Sequence, residues 1–144
     1  MSFEYLHAPV EIMQNDANKV LLKLLSDHNA KVQRVLFQFV TEDFLFDMNQ
    51  QYLSHDTHTD IITFDYSTSQ NIDAECFISI DRARENAEYH AVPYVNELYR
   101  LLLHAMLHCL GYNDSTADEK YMMRKMEEKY LKLFHVEHKN AEDV

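Results

Sequence analysis

Two histidines four residues apart lie in the run His104-Ala-Met-Leu-His108-Cys-Leu-Gly111-Tyr-Asn-Asp114. On a helix that spacing sets both imidazoles one turn apart on one face, where both can bind a single ion. Gly111, the only glycine in the chain, follows three residues later, and helices commonly end where a glycine takes up positive φ. A reversal there would return the carboxylate of Asp114 towards the imidazoles. Two neutral nitrogens, one anionic oxygen and a fourth position left to water form the ligand set of a catalytic zinc site. The expectation is one zinc ion per chain, held by His104, His108 and Asp114 at the end of a buried helix. A water acidified by the ion would be the nucleophile of a hydrolase.

The histidine pair carries little by itself. With nine histidines in 144 residues, roughly half a pair at this spacing arises by chance. Solvated histidines, an ordinary glycine cap and a polar residue before the next helix would each explain one part. But Leu101, Leu102, Leu103, Met106, Leu107, Cys109 and Leu110 surround the pair and make the helix a buried one. A buried imidazole needs a partner, and a shared metal satisfies two at once.

His104-Ala-Met-Leu-His108-Cys-Leu-Gly111-Tyr112-Asn113-Asp114 resembles the signature His-Gly-x-Leu-His-Leu-x-Gly-Tyr-Asp-His of the YbeY family, bacterial metal-dependent endoribonucleases of ribosomal RNA maturation. Upstream, Met48-Asn-Gln-Gln-Tyr-Leu53 and Thr59-Asp-Ile-Ile-Thr-Phe64 are similar to that family's Leu-Asn-x-x-Phe/Tyr-Arg and Thr-Asp-Val-Leu-Ser-Phe. Asp73-Ala-Glu-Cys-Phe-Ile-Ser79 stands where the family has a Gly-Asp-Ile-x-Ile-Ser strand. The matches keep family order across residues 44–130. The resemblance implies cleavage near the 3′ end of small-subunit ribosomal RNA, with ribosomal RNA and small-subunit ribosomal proteins as partners.

Three positions depart from the family pattern. Its third histidine ligand is Asp114 here, the small residue after the first histidine is Ala105 instead of Gly, and its Arg is Leu53. A guanidinium is the natural clamp for a phosphate, so another cation is expected to meet the substrate, with Arg82, Arg84 and Arg100 as candidates. Two rival functions follow from the same residues. The spacing through Asp114 also resembles metzincin-like metalloproteases, but the general-base Glu that follows the first ligand in His-Glu-x-x-His proteases is Ala105 here. The loss of the family Arg at Leu53 would also suit a ribosome-assembly factor with a structural metal and little activity.

At 144 residues with 47% hydrophobic content, the chain suits a single domain spanning 1–144 with one substantial core. It has no apolar run long enough to cross a bilayer and no basic leader, so no membrane association and a cytoplasmic location are expected. Cys76 and Cys109 suit a reducing compartment. Cys109 lies about 140° round the helix from His104, off the ligand face, and both thiols are expected in the core. A net charge of −11 excludes indiscriminate nucleic-acid binding, which draws its affinity from phosphate neutralisation. An RNA enzyme of this charge requires a local basic patch, a metal or a partner.

The elements that position these residues read as an α+β domain, four strands in a small mixed sheet with about five helices. Strands are expected at Phe3–Leu6, Gln33–Thr41, Ile61–Tyr66 and Glu75–Ile80 from β-branched and aromatic content. Helices are expected from Asn15 to Asp27, after Thr41 with Phe44, Leu45, Met48 and Tyr52 inward, after an Asp81 cap to Tyr89, and from Val95 to Leu110. A Thr116-x-x-Glu119 capping box opens the last helix, whose Met122, Met123, Met126, Tyr130 and Leu133 read as core. Glu97 suits the positive end of its helix. His55 and His58 precede the Thr59 match and could face the site, whereas His135 and His138 belong to a charged, fraying tail.

Overall fold

The computed structural model describes residues 2–53 and 59–142, without the side chains of residue 53 and residues 135–142. In chain order the elements are β1 (Ser2–Leu6), α1 (Gln14–Asp27), β2 (Lys31–Val40), α2 (Glu42–Leu53), β3 (Ile61–Asp65), β4 (Asn71–Ser79), α3 (Ile80–His90), α4 (Tyr94–Cys109) and α5 (Ala117–Glu142). The sheet order is β1-β2-β4-β3. β1 and β2 pair in parallel, as do β2 and β4, and β3 closes one edge antiparallel to β4. This is the expected α+β domain.

Alternation in β2 explains which face is inner. Val35, Phe37 and Phe39 are buried at every second position, as a half-buried strand requires. Val32 is buried three residues before Val35 because the pairing register shifts between Val32 and Arg34. The extra residue of a β-bulge resets the alternation. Ile72, Ala74, Cys76 and Ile78 of β4 share the same core, while Phe77 points to the other face and joins Leu45 of α2 and Ile62 of β3 in a smaller cluster. β4 extends four residues upstream of the expected Glu75, because the polar start Asn71-Ile-Asp73 still completes the ladder to Lys31, Val32 and Arg34.

α4 is apolar on nearly all sides because it contacts α1, α3, α5, β3 and β4; a helix hydrophobic all round is an interior one. Leu101, Leu102 and Leu103 are at most 1% exposed, each burial stabilising by about 2 kcal/mol. Tyr99 stacks on Phe134 of α5 with ring centroids 4.0 Å apart, and its hydroxyl accepts the Met13 N–H at the start of α1. These contacts set α4 and α5 against each other over the length that carries the site.

Several caps and faces differ from expectation. Ser79, not Asp81, caps α3, its hydroxyl oxygen accepting the Arg82 N–H at 3.1 Å. Asp81 sits in the first turn of α3 and its carboxylate accepts the Glu42 N–H, so it caps α2 instead. Thr116 and Glu119 form the expected reciprocal box at 2.9 and 3.1 Å. Met123 and Tyr130 are buried, but Met122 is 49% exposed because it lies one residue round the helix from Met123. Phe44 and Tyr52 are exposed in large part and cover the sheet edge through ring contacts with Phe77 and Phe64. Cys76 is fully buried, and that burial pushes its thiol up to about 12; Cys109 is only half-buried. α5 continues as helix through the region read as tail. Among the described residues no helix is long and apolar enough to cross a membrane.

Candidate functional site

The site lies where α4 and α5 run side by side. Spacings of three and four residues place Glu97, Arg100, His104 and His108 along one stripe of α4. Lys120, Arg124 and Glu127 repeat the same spacing on α5. The end of α4 is fixed by a Schellman motif: Tyr112 N–H donates to the Leu107 carbonyl and Gly111 N–H to that of His108, both at 3.0 Å. Gly111 has φ +104° with no atom within 4 Å of where a Cβ would stand. Its absent side chain therefore serves backbone conformation, not space. The loop it starts is held on the other side by His28, which lies 2.9 Å from the Tyr112 hydroxyl.

His104 is partly buried and oriented from α5. Its Nδ1 is 2.7 Å from Oε2 of Glu127, which is 4% exposed. A carboxylate oxygen accepts, so Nδ1 carries the hydrogen and Nε2 keeps its lone pair when the ring is neutral. That lone-pair nitrogen is 4.0 Å from Oδ2 of Asp114. The turn at Gly111 thus brings Asp114 within 4.0 Å of the first histidine, whereas the sequence reading has it return towards both imidazoles. A carboxylate holding the far nitrogen of an imidazole is the usual support of a metal-ligating histidine.

Glu127 is itself part of a buried ionic cluster. Its Oε1 accepts from Arg100 Nη1 at 3.2 Å, and Arg100 reaches Glu97 with two bonds of 2.9 and 2.7 Å. Glu97 is 3% exposed, and Asn86 bridges it to Asp60 at 3.3 and 3.1 Å. Burial alone would ease the proton off Arg100, but its bonds to Glu97 and the nearby Glu127 and Asp60 charges outweigh it and hold the guanidinium above its usual range. The parallel two-bond geometry is the strong form of a guanidinium–carboxylate pair. Glu97 lies in the first turn of α4, as read, but its role there is to hold Arg100 in place. Asp60, from the Thr59-Asp60 motif, is fixed by the Ser79 N–H donating to its carbonyl at 2.9 Å.

Among the sequence-predicted ligands, the structure brings His104 and Asp114 together and leaves His108 exposed on the last turn of α4. Among the described residues no three His, Cys, Asp or Glu side chains gather closely enough to enclose an ion. The Leu53 side chain and the His55/His58 pair lie outside the described residues. A cavity of about 230 Å³ opens onto His104 and Asp114 and is also lined by Arg100, Lys120, Met123, Arg124 and Glu127. A neighbouring cavity of about 400 Å³ shares Arg100, Arg124 and Glu127 and extends to Val92, Asn96 and Leu131.

Sequence reasoning missed Glu127, Lys120 and Arg124. The signal for Glu127 was present: it interrupts the apolar stripe of Met123, Tyr130 and Phe134 at helical spacing, and a carboxylate on a core-facing stripe requires a buried partner. Nothing in the local pattern separates Lys120 and Arg124 from an ordinary solvated face.

The chain is similar to known proteins over most of its length. The family profile described as Endoribonuclease YbeY matches residues 4–135. A protein of Flavobacterium psychrophilum named Endoribonuclease YbeY is 42% identical over 83% of this chain and 84% of its own. A relative of the same name from Christiangramia forsetii is 36% identical over 86% of this chain and 87% of its own. The solution structure of a Thermotoga maritima protein shares the fold, with a TM-score of 0.68 and 21% identity over 98% of this chain and 93% of that one. With the profile spanning nearly every described element and the His104–Asp114 loop inside it, the chain belongs to the endoribonuclease YbeY family.

Proposed function

We propose that this protein is a metal-dependent endoribonuclease of ribosomal RNA maturation, acting in the cytoplasm near the 3′ end of small-subunit ribosomal RNA, with small-subunit ribosomal proteins as partners. The ion is zinc, one per chain, held by His104, His108 and Asp114. The observation that carries this reading is the 2.7 Å contact between His104 Nδ1 and Glu127, which leaves the lone pair on Nε2, 4.0 Å from Asp114 Oδ2. Two ligand atoms on one tetrahedral zinc lie about 3.4 Å apart, and the His104–Asp114 separation of 4.0 Å exceeds that by little. The donor set suits zinc in chemistry, and closing it requires the exposed side chains of His108 and Asp114 to converge on His104.

When bound, zinc supplies a Lewis acid for a phosphoryl oxygen and an acidified water. The chain's own residues prepare the place. Glu127 keeps the hydrogen of His104 on Nδ1, Arg100 pairs with both Glu127 and Glu97, and the Gly111 turn carries Asp114 to the rim of the cavity. No Glu follows His104, so the peptide-hydrolysis base of His-Glu-x-x-His enzymes has no counterpart at Ala105. The reading is tested with purified protein and a synthetic RNA spanning the 3′ end of small-subunit ribosomal RNA. Discrete internal cleavage that stops with chelator supports it; intact RNA alongside peptide cleavage would overturn it.

A further inference from the structure

The proposed substrate is a polyanion and the chain carries a net charge of −11, so the cations facing the cavity decide where a phosphodiester can sit. Most arginines are already engaged. Arg34 lies 2.7 Å from Glu4 and Arg82 3.1 Å from Glu85. Arg84 is over the Tyr94 ring, and Arg100 is enclosed by Glu97, Glu127 and Asp60. Neither Arg82 nor Arg84 lines the cavity of His104 and Asp114 or its larger neighbour, and Arg100 directs its N–H groups to Glu97 and Glu127. Arg124 differs: it is exposed, and among the described residues neither a carboxylate nor a ring engages its guanidinium. It lines both the cavity of His104 and Asp114 and its larger neighbour. Lys120, one turn earlier on α5, is exposed, lines the same first cavity and has no ion-pair partner among the described residues.

We propose that Arg124, with Lys120 beside it, is the phosphate contact of this site. The claim rests on the endoribonuclease reading above and adds the residues that hold the RNA backbone. Like charges four residues apart weaken a helix, and an anion bound between them removes that repulsion. The guanidinium presents a planar fork that matches two phosphoryl oxygens, and its position on the wall shared by both cavities lets one strand occupy them in succession. One phosphate is then held within the same cavity as His104 Nε2, the atom turned towards the proposed metal.

The test is the salt dependence of binding to a fluorescent 2′-O-methyl single-stranded oligonucleotide, its integrity checked on a gel after each titration. Each phosphate neutralised contributes about −0.7 to the slope of log affinity against log salt for a single strand. Arg124→Ala should shallow the slope by about 0.7 and Lys120→Ala with Arg124→Ala by about 1.4. Arg124→Lys should recover the slope with part of the affinity, since charge returns without the fork. Lys19→Ala, on α1 and lining neither cavity, should leave the slope unchanged. These positions are exposed, and thermal melts equal to the parent's establish that folding is intact. A parent that binds while both Ala variants keep its slope overturns this assignment and leaves the nuclease reading standing. A parent that does not bind at low salt sinks both.

Discussion

Glu127 and His104, 23 residues apart in sequence, meet at 2.7 Å between Oε2 and Nδ1, with the carboxylate 4% exposed. The contact fixes the tautomer and the orientation of the ring. Glu127→Gln keeps the shape but replaces a charge-assisted acceptor with a neutral one, and the amide can turn its NH₂ to the ring. Loss of such a partner typically lowers metal affinity by about 10–100-fold. Competition with a chromophoric chelator measures it, and an affinity equal to the parent's would mean the ring needs no carboxylate behind it.

Arg100 is the one charge shared by two buried carboxylates. Arg100→Met fills similar volume but leaves Glu97 and Glu127, 3% and 4% exposed, without their counter-charge. Breaking a buried pair from one side costs about 3–5 kcal/mol, so the urea midpoint should fall sharply. Arg34→Met, which separates the solvent-exposed pair with Glu4, should barely move it. Equal effects of the two substitutions would contradict the account of the cluster.

Gly111→Ala isolates backbone conformation from packing, since nothing lies within 4 Å of the added methyl and φ is +104°. An alanine held at positive φ costs about 1 kcal/mol or somewhat more. The variant should lose that much stability in denaturant and bind zinc less tightly, because relaxing φ moves the loop that carries Asp114. An unaltered midpoint would show that the loop tolerates a side chain there.

Tyr130 donates to Asp27 Oδ2 at 2.6 Å. That bond, with help from Lys23 and against some desolvation, holds the Asp27 carboxyl below its ordinary range. A carboxyl whose folded pKa is depressed stabilises the fold above its unfolded pKa, and the gain is lost as pH falls through the folded value. Tyr130→Phe should therefore lower Tm more at pH 7 than at about pH 2. The same loss at both pH values would place the contribution of Tyr130 in packing alone.

The order of elements was legible because the patterns that encode it are local. Alternating Val35, Phe37 and Phe39, the Thr116–Glu119 box and the lone glycine at 111 each identify an element from a few neighbouring residues. The reversal of the chain at Gly111 was legible for the same reason, a single residue that takes up positive φ. Partnerships across the fold were not. Asp81 has a cap-like sequence context, yet it serves a helix 39 residues upstream, and the nearer Ser79 takes its place. Glu97 suits a helix N-terminus by position, but its burial against Arg100 depends on α5 and Asn86. Glu127 decides the geometry of His104 from a helix that reads, taken alone, as an amphipathic end of the chain.

The proposed function requires that His104 belong to a metal centre that cleaves RNA. The most direct measurement is cleavage of single-stranded RNA by protein stripped with chelator and returned to one equivalent of zinc, run beside His104→Ala. Cleavage should disappear on stripping, return with zinc in the parent, and be absent from His104→Ala under every condition although the variant folds. Cleavage by the stripped protein, or by His104→Ala at the parent's rate, would contradict it.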